Sequence, residues 1–150
     1  MNVKVGLVLL ISKQYDDIIS FSLRNLQNLL ILTAVKADRT RVMEYITRLD
    51  NYDAPDIANI AIGSELFEEA FAIFKKFDVN TSAIQVLIEN IQNLDRAYEF
   101  AERCNVPEVW SILGKAQLDQ GLIKESIDSY IKADDPSAYQ EVVDASKNAG

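Results

Sequence analysis

The sequence predicts an all-α protein: an α-α superhelix, or solenoid, of antiparallel helix hairpins with about 28 residues per repeat. Three observations predict it. From Asn25 onward apolar residues recur at steps of three and four, the spacing of one helix face, and turn residues fall at short intervals. Strict alternation of apolar and polar residues is nowhere sustained, so no sheet is expected. Four stretches also share one register. Val42, Ala70, Ala97 and Ser126 align; four positions on stand Ile46, Phe74, Ala101 and Tyr130, and at seven Leu49, Phe77, Cys104 and Ala133. At eight stand Asp50, Asp78, Asn105 and Asp134, short polar residues suited to ending a helix.

The pattern places helices over 25–36, 39–49, 54–63, 65–77, 81–91, 94–104, 107–119, 122–133 and 136–147. The segment before them, 1–23, reads differently. Its apolar run from Val5 to Ile11 is too short to span a bilayer as a helix. A single lysine precedes that run and no small-residue cleavage pattern follows, so a signal peptide is not favoured over a buried terminal helix or strand. Pro55, Pro107 and Pro136 sit where a first-turn proline costs no hydrogen bond. Ser64 is positioned to cap the helix beginning at Glu65, and Asn80 or Thr81 the next one. Gly121 reads as a stop before Leu122. Each unit is thus a helix–turn–helix that cannot bury both faces alone, and stacking completes one unit's core with the next.

Composition narrows function. The formal net charge of −8 repels nucleic-acid phosphates and anionic lipid surfaces, and the longest basic run is Lys75–Lys76. With no histidine, the commonest general base and metal ligand is missing. The lone cysteine, Cys104, has no internal disulfide partner and shares its register with Leu49, Phe77 and Ala133, which favours an apolar packing role over a nucleophile. The paired acids Asp16–Asp17, Glu68–Glu69 and Asp134–Asp135 point about 100° apart on a helix and do not converge on one atom. Asp50, Asn51 and Asp53 resemble the start of a calcium loop, yet Ala61 stands where its glutamate belongs. Trp110 reads as packing, with its indole N–H near a rim. Glu44–Arg48 and Glu99–Arg103 have the spacing and order of helix-surface ion pairs. No catalytic residue, cofactor or metal site is expected, and the chain is not read as an enzyme.

The wording of the repeats carries a resemblance. NLLILTAVKADRTRVMEYITRLDNYDAPDIANIAI (Asn28–Ile62), ELFEEAFAIFKKFDVNTSAIQVLIENI (Glu65–Ile91), LDRAYEFAERCN (Leu94–Asn105) and SIDSYIKADDPSAY (Ser126–Tyr139) resemble clathrin heavy chain, over about residues 24–146. The resemblance implies a clathrin heavy-chain-repeat solenoid over 24–150, from the leg near the distal-to-proximal junction, after an atypical segment at 1–23. It also implies a structural role in the polyhedral lattice of coated pits and vesicles, on their cytoplasmic face, in endocytosis and intracellular protein transport. The partners it implies are other clathrin heavy-chain legs, while the family's clathrin light chains lie along the proximal leg, mostly beyond this part; the basic residues Arg39–Arg41 and Lys75–Lys76 suit an acidic partner such as a light-chain helix, and nucleic acid and direct membrane insertion are not expected. The alternative is a helical-repeat scaffold of another vesicle-tethering or vacuolar-sorting complex. The family's amino-terminal β-propeller and carboxy-terminal trimerisation region have no counterpart in these residues, which read as a fragment or truncated relative. An open carboxy-terminal end is expected at Ala138, Val142 and Val143.

Overall fold

A computed structural model describes residues 3–149. Among them the regular structure is entirely helical: α1 (Val3–Ala37), α2 (Val42–Arg48), α3 (Ala54–Gly63), α4 (Phe67–Lys76), α5 (Asn80–Gln85), α6 (Leu94–Cys104), α7 (Pro107–Asp119), α8 (Ile123–Ala133) and α9 (Tyr139–Ala149). Short 3-10 turns at Arg39–Arg41 and Pro136–Ala138 lead into α2 and α9. The pairs α2–α3, α4–α5, α6–α7 and α8–α9 are the four hairpins of the register. First helix packs on first helix (α2 on α4) and second on second (α5 on α7), while α3 meets α4 and α7 meets α8 across unit boundaries. This is the stacking that the solenoid reading requires.

The register decides what is buried. Val42, Ala70, Ala97 and Ser126 are all 0% exposed, and Ile46, Phe74, Ala101 and Tyr130 at most 8%. Leu49, Phe77 and Cys104 of the third row are half-buried, so Cys104 packs at the edge of the core and not within it, whereas Ala133 is buried. One apolar cluster runs from Ile31 to Ala133 without regard to hairpin boundaries. A smaller one gathers Tyr130, Ala138 and Val142 at the far end.

The stops follow from backbone chemistry. Asp78, Asn105 and Asp134 take positive φ of 58°, 47° and 52°, the left-handed turn that short polar side chains tolerate, and Gly121 takes 80°. Asn105 and Asp134 are the C-caps of α6 and α8. Pro55 and Pro107 lie in the first turns of α3 and α7. Asn93, through its side chain, caps α6 by accepting from the Arg96 N–H at 3.1 Å.

Several expectations need correction. Ser64 ends α3 and caps nothing that follows; α4 starts at Phe67, behind Leu66. Asn80 and Thr81 lie inside α5, whose N-cap is Val79. The helix expected over 81–91 widens into a π-turn at Val86–Asn90, closed by the Ile91 N–H on the Val86 carbonyl at 2.9 Å. Ala138 and Val142 are 7% and 5% exposed because they fold under their own hairpin, which leaves only Val143 open, at 43%.

The largest difference lies at the amino end. The helix expected to begin at residue 25 is continuous from Val3, and the buried terminal element expected before it is instead exposed along its length. Residues 1 and 2 lie outside the described residues. No turn residue interrupts Ser20–Asn25, so local helix propensity carries straight through. By length and composition alone α1 is long and apolar enough to cross a membrane; its buried residues, Gln27, Ile31 and Ala34, face the solenoid.

Candidate functional surface: the junctions between hairpins

The chemistry of this chain is concentrated where hairpins meet. Lys76, at the end of α4, reaches back one unit to α2. Its Nζ donates to the carbonyls of Ile46 and Thr47, both at 3.0 Å, and to that of Leu49. These are carbonyls that a helix end leaves unpaired, and a cation there also meets the negative pole of the helix. The same ammonium lies 5.7 Å from the ring centre of Tyr52 and 5.6 Å from that of Phe77, which meet edge to face. The Tyr52 hydroxyl donates to the Ile46 carbonyl at 2.8 Å, and burial pushes its pKa up to about 12.

The arrangement recurs. Lys132, at the same register position of α8, donates to the Tyr98 hydroxyl at 2.7 Å and lies 4.9 and 4.7 Å from the Tyr98 and Trp110 rings. That bond, with Asp128 at 3.0 Å, raises its pKa. Trp110 is 2% exposed and its indole N–H donates to Asn105 Oδ1 at 3.0 Å, so the packing role read for it holds. Between α4 and α6, Arg96 grips Glu68 with two bonds of 2.5 and 2.9 Å while lying over Phe71. The Arg96 bond holds the Glu68 carboxyl below its ordinary value.

Polar contacts also pin the loops. The Asn51 and Asp53 N–H groups donate to Gln27 Oε1 and Asn28 Oδ1, each at 2.8 Å, fastening the α2–α3 turn to α1. The calcium-loop resemblance of 50–53 is therefore met by a turn held through its backbone. Ser126 Oγ donates to the Gly114 carbonyl at 2.7 Å, and Ser129 Oγ to Gln117 Oε1 at 2.6 Å. The small side chains let α8 approach α7 closely: a Cβ on Gly114 would come 3.0 Å from the Tyr130 ring.

The cations singled out from sequence are largely committed inside the chain. Arg41 pairs with Asp38 at 3.3 Å, Arg39 donates to the Ser64 carbonyl, and Lys76 is spent on α2. Glu44 pairs with Arg48 at 3.0 Å, but the expected Glu99–Arg103 pair is not among the ion pairs of the described residues. Sequence reasoning missed the junctions, although a signal was present: Arg48, Lys76, Arg103 and Lys132 all stand six positions after the row start. Among the described residues no three metal-type ligands gather. A groove of about 470 Å³ beside the π-turn, lined by Glu89, Lys115 and Asp119 with Ile88 and Ile112, is open to solvent.

The family model described as a region in clathrin and VPS matches residues 16–125. The chain belongs to the clathrin repeat family. Clathrin heavy chain of Drosophila melanogaster is 81% identical over 121 residues, which is 81% of this chain and 7% of the relative. Clathrin heavy chain 2 of Homo sapiens is 71% identical over 126 residues, 84% of this chain and 8% of the relative. The probable clathrin heavy chain of Schizosaccharomyces pombe is 53% identical over 126 residues, again 84% of this chain and 8% of the relative. This clathrin-repeat chain therefore spans less than a tenth of the length of the curated relatives it matches. The match takes in residues 16–23, the last part of the segment that reads as atypical. Similarity at this level to clathrin heavy chains does not favour the vacuolar-sorting alternative.

Proposed function

We propose that this chain is a mechanical element of a clathrin coat, a short length of heavy-chain leg that contributes to the polyhedral lattice and catalyses nothing. One observation carries the reading: clathrin repeats stacked on an apolar cluster that runs across hairpin boundaries. A solenoid of this kind resists bending locally but accumulates small rotations from unit to unit, the property that an edge of a closed cage needs. Its net charge of −8 suits many weak, salt-sensitive contacts with neighbouring legs better than one large apolar interface. On this reading its partners are other heavy-chain legs, and its place is the cytoplasmic face of coated pits and vesicles. Light-chain contact is the finer part of the proposal, and Lys75 and the exposed face of α4 are the surface available for it.

The test is binding to purified heavy-chain legs and to light chain, each immobilised separately, at low and at physiological salt. Capture by legs that weakens with salt is the expected result. No capture by legs at any salt, with the chain folded, would remove the coat assignment. Capture by legs without capture by light chain would remove only the finer part.

A further inference from the structure

The packed side of α1, marked by Gln27, Ile31 and Ala34, occupies one part of the helix circumference. At 100° per residue, Val8, Ile11, Tyr15, Ile19, Leu26 and Leu30 fall within a band of about 100° centred roughly 120° away. They are 42–64% exposed. Among the described residues nothing covers this band. Residues 5–11 project beyond the solenoid and are apolar all round, with Leu9 and Leu10 55% exposed or more. A helix of that composition fits a place enclosed on more than one side.

We infer that two copies of this chain pair antiparallel through α1, the bare half of each packing along the exposed apolar band of the other. Pairing about a two-fold near Ile19 sets Val8 opposite Leu30 of the second copy and keeps the two solenoid bodies at opposite ends. The antiparallel sense matches that of successive helices in a hairpin stack. A parallel pair would instead bring both bodies to the same end and leave residues 5–11 against each other alone. Six side chains from each copy remove on the order of 1,000 Å² from water, at the threshold of a specific interface, and Leu9 and Leu10 add to it. Pairing two identical apolar helix faces about a two-fold axis covers both at once.

The mass of the whole chain in solution, followed by light scattering up to about 100 μM, reads the pairing directly. The expected result is twice the 16.9 kDa chain mass. Tyr15→Lys with Ile19→Lys should raise the dissociation constant at least tenfold and leave the urea midpoint of the solenoid unchanged, since neither residue packs on it. Orientation is read in a Cys104→Ser background by exchanging a Val8→Cys chain with a Leu30→Cys chain under oxidation. The mixed disulfide is expected, and like-with-like disulfides alone would refute the antiparallel sense. A monomer throughout, or an assembly that grows beyond two copies, would overturn the proposal. So would flotation of monomers on neutral phosphatidylcholine vesicles, which would show lipid as the occupant instead.

Discussion

Replacing Phe74 by aspartate is the most direct trial of the repeat register. Phe74 is 8% exposed and sits in the cluster that also contains Ile46 one unit before it and Ala101 one unit after. Removing the ring loses about 2–3 kcal/mol of apolar burial. An aspartate there must be buried without a partner or take up a proton, and an uncompensated charge costs about 3–5 kcal/mol. The total, at least about 5 kcal/mol, matches the whole stability of many domains of this size. Helical circular dichroism followed through a urea titration should show the central hairpins unfolded in water or melting at far lower urea than the parent. A control at Ile60, 38% exposed, changed to alanine should lose much less. If Phe74→Asp keeps the parental midpoint, the face assigned to α4 is wrong, and with it the shared core.

Four further outcomes follow from the junctions. Lys76→Met keeps the aliphatic stem but removes the donors to the Ile46, Thr47 and Leu49 carbonyls; about 1 kcal/mol should be lost, visible as faster amide exchange in α2, with Lys76→Arg recovering part of it. The Glu68 pKa is lowered by Arg96, so its contribution is complete above the ordinary value of 4.5 and disappears as pH falls through the depressed folded value. Because both partners are partly exposed, that contribution is a fraction of a kcal/mol, and Glu68→Gln should flatten the acid limb of a pH–stability curve only slightly. Tyr52 behaves in the opposite sense: raised from 10.0 to about 12, its ionisation favours the unfolded chain, so stability is lost as pH climbs between those values, and Tyr52→Phe should reduce the late-titrating phenolate absorbance, leaving the part due to Tyr130, which burial also raises. Gly121→Ala places a Cβ at φ 80° and should cost about 1–2 kcal/mol in the same urea titration, although it meets no neighbouring atom.

The helices and their burial were legible in the sequence because they are local or periodic properties. Steps of three and four fix which face of α4 or α6 is apolar whatever it meets, and Asn105, Asp134 and Gly121 carry their turn preference with them. Capping was less legible. Ser64 and Asn80 have the chemistry of N-caps, but the backbone turns one or two residues away from where that chemistry would have been used. Register alone also misplaced Ala138 and Val142: it reports that a residue belongs to an apolar face without saying whether its own hairpin or the next one covers that face.

By itself the sequence determined the all-α class, the hairpin unit, the two buried rows and the resemblance to clathrin heavy chain, because each depends on residue order along a single helix or on recognisable wording. Only the tertiary structure decided which cations serve the fold. Lys76 and Lys132 look like solvent-facing charges along the chain, and it is the stacking of one unit on another that brings helix-end carbonyls and aromatic rings within their reach. It likewise decided the state of the amino-terminal segment. A run of apolar residues demands cover, but cover is a property of what lies nearby in space, and among the described residues nothing lies against residues 5–11.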